Sequence, residues 1–313
     1  MADPTTPATT PLPVFSLQCH KNVDLTLQFL PSLLKHCRDP IELIVHDDGS
    51  LTAEDRDRLG DRLGPVRIIS REEADDLVVP KLAGRPKCLE YRREHPFGLK
   101  LLDPALIAGG PFLLCDGDIL FLRDFEGLDR RAEPGEDLVF MRDWTTFYVF
   151  STAPRYFGPY RTPLADYVNA GLLYCTPKAF DLDFIEWYIG NPKFIWYMWL
   201  AEQTVWAALA GRSASRFHDP SQVDFPRPSL EYRPDWTALH FVSPIRYLAS
   251  DPEFMANLRD RAAKAQGQGL ATLRTLPAIR HNIAQDVTRR VFTKFRPSYI
   301  QVAIDKGPIP IAR

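Results

Sequence analysis

Two acidic clusters mark the chain, Asp47-Asp48-Gly49-Ser50 and Asp116-Gly117-Asp118. The first follows a run at 41–45 that is apolar apart from Glu42, and the second follows directly on an apolar run at 111–115. Carboxylates at the end of a buried strand are costly unless they meet a cation, a hydrogen-bond donor or water. An Asp-x-Asp pair in that place offers oxygens converging on one side, a hard donor set suited to Mg2+ or Mn2+. Taken alone, each cluster is equally an ordinary turn, and Asp-Asp-Gly-Ser also serves as a helix cap. Further along lie Asn169-Ala170-Gly171, Glu202-Gln203, and His240 with Arg246 six residues later. A neutral imidazole supplies a further metal ligand, and a guanidinium fork suits phosphate. His240 by itself also reads as a satisfied core histidine, and Glu202 as a first-turn acid on a helix dipole.

The surrounding pattern predicts the elements that would position these groups. Strands are expected at 14–18, 41–45 and 66–69, alternating with a helix through Leu25, Leu30, Leu33 and Leu34 and another at 52–63 capped by Thr52. That βαβ rhythm predicts an α/β fold with a mixed, mostly parallel central sheet and helices on both faces. A helix follows at 97–107 despite Pro104, then strands at 111–115, 138–141 and 168–174, and an apolar run at 119–122. Apolar-periodic helices are expected at 177–189 and 199–210, with a short strand or turn at 239–242. In open α/β sheets, ligands bind beyond the carboxyl ends of the strands, where both acidic clusters fall. Residues 142–166, with Trp144, Phe147, Tyr148, Tyr156, Phe157 and Tyr160, read as a lid or binding loop, or as a packed surface loop. Asp143 and Asp166 flank it and are further candidates for a general base. Lys81, Arg85 and Lys87 form a basic patch that either meets phosphate or is a solvated face.

The order of these segments resembles the GT-A class of glycosyltransferases, a Rossmann-like fold. The resemblance rests on the strand leading into Asp47-Asp48, on Leu99-Lys100-Leu101-Leu102, and on the strand entering Asp116-Gly117-Asp118. Asn169-Ala170-Gly171, Glu202-Gln203 and the segment from His240 to Arg246 are similar to the motifs of the family-8 retaining type. The resemblance implies a nucleotide-sugar donor, a uridine nucleotide above all. Asp47 and Asp48 then face the nucleotide, with Lys100, Asp116 and Arg246 at the diphosphate. Asn169, Ala170 and Gly171 line the donor sugar, Glu202 and Gln203 act at its anomeric carbon, and Asp116, Asp118 and His240 hold Mn2+ or Mg2+. Three positions depart from the family pattern: Glu202 stands for Asp, Ser243 for Gly and Arg246 for Lys. The acceptor is open among a glycan, a lipid-linked glycan, a protein and a small molecule.

Totals narrow the field. With 45% hydrophobic and 25% charged residues the chain is of ordinary globular composition, and its net charge of -2 gives no pull toward nucleic acid. The five cysteines, at 19, 37, 88, 115 and 175, are scattered and odd in number, which reads as reduced thiols in a cytoplasmic protein. The Thr- and Pro-rich start predicts a mobile arm over 1–13 and carries no signal-peptide pattern. A catalytic domain is expected over 14–250 and a helical, basic segment over 251–313. Residues 271–313 carry eight Lys or Arg against two Asp, with Val287, Val291, Phe292 and Phe295 on one helical face. Such a face either packs on the domain or touches a membrane surface peripherally. Two other enzyme readings compete. A haloacid-dehalogenase-type phosphohydrolase uses Asp-x-Asp near its N-terminus with a small residue where Leu120 stands. A nucleotidyltransferase needs a glycine-rich loop where Gln18-Cys19-His20-Lys21 has no glycine. A nucleotide-sugar-binding protein without turnover is the non-enzyme alternative.

Overall fold

The computed structural model describes residues 10–144, 146, 163–191, 200–228, 233–265 and 269–282. The aromatics from Phe147 to Tyr160, the first nine residues and the expected basic face around Val287 to Phe295 lie outside the described residues. The expected α/β sheet forms. It is eight-stranded, built from β1 (Leu12–Gln18), β2 (Ile41–Asp47), β3 (Arg67–Ile69), β4 (Phe112–Cys115), β7 (Leu138–Arg142), β8 (Val168–Cys175), β9 (Ser215–His218) and β13 (Thr275–Pro277). Across the sheet the order is β13-β9-β7-β8-β4-β1-β2-β3. The β4-β1-β2-β3 half and the β7–β9 pair are parallel, while β8 runs antiparallel to both its neighbours and β13 to β9. A three-stranded sheet of β10 (Val223–Asp224), β11 (Ala238–His240) and β5 (Ile119–Phe121) stands beside it. A third, small pairing joins β6 (Phe125–Glu126) to β12 (Ala271–Thr272).

Strand alternation sorts the core into two layers. Leu12, Val14, Leu43, Val45, Leu113 and Cys115 face one cluster; Phe15, Ile44, Phe112 and Leu114 face the other. The first cluster is covered by α1 (Val23–Phe29), α2 (Pro31–His36) and α3 (Ala53–Leu63). The second is covered by α4 (Arg71–Val78), α5 (Pro86–Glu94), α6 (Pro96–Ala108), α7 (Leu182–Ile189) and α8 (Ala201–Arg212). Burial on both faces explains the nearly continuous apolar runs of the central strands. Each fully buried Leu or Phe contributes about 2 kcal/mol.

Several boundaries differ from expectation for local reasons. β1 begins at Leu12, two residues early, because Leu12 already pairs with Ile41. Pro31 interrupts the helix expected through Leu25 to Leu34, as a proline within such a run does, giving α1 and α2; it sits at the first turn of α2 where its missing N–H costs nothing. Thr52 caps α3 through a reciprocal box with Asp55. The expected helix over 177–189 begins only at Leu182, where the Asp181 carboxylate accepts from Phe184 N. In the C-terminal segment, α9 (Pro252–Ala265) forms, while β12 and β13 add strands rather than helix. All five cysteines are free thiols. Among the described residues no helix is long and apolar enough to cross a membrane.

Two buried polar features bear on stability. His46 Nε2 lies 2.8 Å from Asp103 Oδ2, and Arg92 grips the same carboxylate in a fork at 2.7 and 2.8 Å. This ties α5 and α6 to the end of β2 behind Asp47. His218 on β9 is fully buried with neither ring nitrogen hydrogen-bonded. Burial first, and Arg130 second, push its pKa down to about 3. The folded protein therefore keeps His218 neutral, while the unfolded chain takes up a proton near pH 6.5. Stability is expected to fall as pH drops from about 6.5 toward 3, with about 2 kcal/mol lost to this residue by pH 5. Urea midpoints at pH 7 and pH 5 test it: His218→Phe should narrow the gap seen in the wild type, and an equal gap in both would refute the assignment.

Candidate functional site

Two ladders bring the separated motifs together. Antiparallel pairing of β4 with β8 sets Cys115 opposite Leu172, and one step further Asp116 N donates to Gly171 O at 2.7 Å. Antiparallel pairing of β5 with β11 sets Ile119 opposite His240, and Phe241 N donates to Asp118 O at 2.9 Å. Asp116, Asp118 and His240 consequently converge, each offering a ligand atom within 4.8 Å of the others. His240 Nε2 stands 3.0 Å from Asp118 Oδ1 and 3.7 Å from Asp116 Oδ2.

Cations flank the triad on both sides. Arg246 Nη2 lies 2.5 Å from Asp118 Oδ2, and Lys100 Nζ lies 2.7 Å from Asp116 Oδ1. Burial would raise the Asp118 carboxyl, but His240 and Arg246 hold it well below the usual carboxylate range. Burial would lower Lys100, but the carboxylates of Asp116 and Glu202 hold it above its ordinary value. Both side chains therefore stay charged at neutral pH. Two carboxylates and an imidazole are a hard and borderline donor set that fits Mn2+ or Mg2+. The buried Nδ1 of His240 has no hydrogen-bond partner, and the ring stacks on Phe225 at 5.8 Å with a 23° tilt.

The turn and the imidazole are each fitted by a glycine. A Cβ on Gly171 would sit 2.5 Å from His240 Nδ1 and closer still to Cε1. A Cβ on Gly117 would meet Thr26 Oγ1 at 2.5 Å and Gln18 Nε2 at 2.7 Å. Beneath Gly117, Gln18 Nε2 donates to Ser16 Oγ, and Ser16 Oγ donates to Cys115 O at 2.6 Å. Thr26 Oγ1 donates to Gln18 Oε1. This polar relay under the Asp116-Gly117-Asp118 turn was not singled out from sequence. Its available signal was Ser16 and Gln18 on one face of an otherwise apolar strand.

The Asn-Ala-Gly segment is a break in the sheet. Phe140 pairs with Leu173 but Met141 pairs with Asn169, so the intervening residues of β8 stand outside the β7 ladder. Bulges of this kind re-aim side chains beside functional sites. Asn169 Oδ1 accepts from Gly171 N at 2.9 Å, and its Nδ2 donates to Asp143 Oδ2 at 3.1 Å. Gln203 Nε2 reaches the same Asp143 oxygen at 3.4 Å. Asp143 thus orients both amides. Ala170 packs into the core on the α8 face. Glu202 is buried on α8, with Oε1 unpartnered. Burial pushes its carboxyl up to about 7 against the pull of Lys100, and Asp116 adds repulsion.

The early acidic cluster divides. Asp47 is fully buried, and its oxygens accept from Gly49 N, Leu51 N and Arg56 Nη2, so they hold the loop itself. Asp48 accepts from Ser50 and is half-buried. Burial first, and then Asp48, raise the Cys19 thiol while Arg246 opposes, which places Cys19 within the field of both. Asp166 is occupied by Tyr167 N, His281 and Thr146. The expected basic patch is spent within the scaffold: Arg85 pairs with Asp183, Lys87 with Glu90, and Lys81 donates to Leu106 O.

No family model matches the chain, and no curated protein matches it. Among solved structures, the chain is similar to a galactosyltransferase, LgtC, crystallised with donor and acceptor sugar analogs. The identity is 16% over 85% of this chain and 98% of that one, with a TM-score of 0.44. An active-site mutant of LgtC gives 15% identity over the same shares and a TM-score of 0.47. So distant a likeness transfers no activity and no residue role to this chain.

Proposed function

We propose that the chain is a metal-dependent glycosyltransferase that moves a hexosyl group from a nucleotide sugar, a UDP-hexose, to an acceptor hydroxyl with retention of configuration. The observation that carries the reading is the convergence of the Asp116-Gly117-Asp118 turn and the distant His240 on one place, flanked by Lys100 and Arg246. A divalent cation held by those three side chains would neutralise the charge that gathers on a departing nucleoside diphosphate. Arg246 and Lys100 add fixed positive charge to the same end, where it costs no reorganisation at the moment of reaction. Asp48 and the Cys19 loop border the place for the nucleotide, at the carboxyl ends of β1 and β2.

Glu202 and Gln203 serve the anomeric carbon. Gln203 has its amide nitrogen turned to Asp143, which leaves its carbonyl oxygen for the sugar. Glu202, poised near neutrality, supplies electron density to the positive charge developing at C1. The bond from C1 to the diphosphate breaks, and the acceptor oxygen bonds to C1. The hydroxyl proton leaves with the diphosphate. A cytoplasmic setting fits the free thiols.

The direct test is turnover. The protein is incubated with UDP-glucose, UDP-galactose and their N-acetyl forms, with and without Mn2+, and the released sugar is followed by proton NMR. One donor should hydrolyse slowly and only with metal, giving first the anomer of the donor. The opposite anomer would falsify retention. A chain that binds these donors but never releases sugar is a binding protein instead.

A further inference from the structure

Arg142 is the last residue of β7 and directly precedes Asp143, which orients Asn169 and Gln203. Its half-buried guanidinium lies 5.2 Å from the Tyr167 ring centroid and 5.8 Å from that of Phe217. Among the described residues it makes no hydrogen bond and no ion pair, and its buried Nε has no partner. Arg227 is also buried. Its Nη2 lies 3.2 Å from Asp224 Oδ2, and its Nε too has no partner. Arg233 Nη1 stands 3.9 Å from the same oxygen and is 42% exposed, so the group reaches solvent. Arg142 acts on Asp224 as well. Arg227 and Arg233 thus share one buried carboxylate, and the packing of β10 against β7 sets Arg142 within its field.

The group borders the triad without serving it. Asp224 is followed by Phe225, which stacks on His240 and lies 4.5 Å from Trp144. The Asp116 and Asp118 carboxylates are held by Lys100, His240 and Arg246, not by these arginines. We propose that Arg142, Arg227 and Arg233 form a phosphate-binding subsite at the edge of the cleft, and that the acceptor presents a phosphate group to it. Unpaired guanidinium charge in a half-buried place is costly, and an arriving anion removes that cost. Three guanidinium groups against the Asp224 carboxylate, with Asp166 also acting on Arg142, leave a net positive charge that favours an anion. The planar fork of arginine matches phosphate oxygens in pairs. Burial works in the same direction, lowering Arg142 and raising Asp224 from their ordinary values. Assigning the phosphate to the acceptor rests on the transferase reading; the anion site itself does not.

The test is calorimetric titration of the full-length chain with inorganic phosphate, with and without saturating UDP and Mg2+. One phosphate should bind in both conditions. Arg142→Gln and the exposed Arg233→Gln should each weaken it by about tenfold, the loss of one charge-assisted contact. Both variants should keep the wild-type melting temperature and UDP affinity. Phosphate that fails to bind, that UDP displaces, or that ignores both substitutions overturns the subsite. Glucose 6-phosphate should compete with the bound phosphate and glucose should not; the lack of competition overturns the acceptor assignment. Failure of UDP to bind overturns the transferase reading alone.

Discussion

Asp118→Asn lowers kcat by roughly a thousandfold, the scale on which a preorganised charge acts in an active site. The carboxylate is buried and makes two contacts at once, 3.0 Å to His240 Nε2 and 2.5 Å to Arg246 Nη2. An amide keeps the shape and removes the charge. The proposed cation site is then left with Asp116 as its one anionic ligand, and Asp116 is shared with Lys100. Arg246 loses its counter-ion, but its side chain is 38% exposed and water takes part of the loss. The fold should therefore lose only about 2 kcal/mol. Steady-state turnover beside urea denaturation separates the two effects. A variant with near wild-type kcat would show that Asp118 is a structural partner of Arg246 and nothing more.

Gly171→Ala is the second large effect, and it acts through His240. The new methyl would overlap the imidazole at Nδ1 and Cε1. The backbone of Gly171 cannot easily yield, since its carbonyl accepts from Asp116 N and its N–H donates to Asn169 Oδ1. The ring has Phe225 behind it. Either the imidazole leaves its place or the β4–β8 pairing loosens. Overpacking of this kind costs about 3 kcal/mol. Displacing a ligand ring should weaken Mn2+ roughly hundredfold, the upper range for disturbed metal-site supports. Electron paramagnetic resonance of free Mn2+ during a titration reads the affinity directly. Unchanged affinity in a folded variant would mean that His240 is not a ligand.

The central strands and the motifs at their ends were legible because both depend on local pattern. Residues 43–45 and 111–115 are apolar on both faces, and a carboxylate just beyond such a run is chemically conspicuous. Asp47 shows the limit of that signal: the same spacing that suggests a ligand site here builds a turn whose amides and Arg56 occupy it. The polar relay of Ser16, Gln18 and Thr26 was not legible, since nothing local says that Gly117 will rest on it. Nor was the part of Asp143, which depends on the break in β8 opposite Met141. Helices α4 and α5 were missed for a different reason. They are short and highly charged, and α5 buries Arg92 against Asp103, a partner that pattern alone does not reveal. The β7–β9 pairing joins residues about 75 apart and follows from no local sequence feature.

Calorimetry of UDP binding, with and without Mn2+, tests the central claim most directly. The wild-type chain should bind UDP tightly only when Mn2+ is present, and His240→Ala should abolish the metal effect while the protein stays folded. UDP binding of equal strength with and without Mn2+, or no binding by a folded protein, would contradict the account of Asp116, Asp118 and His240 as a metal-diphosphate site.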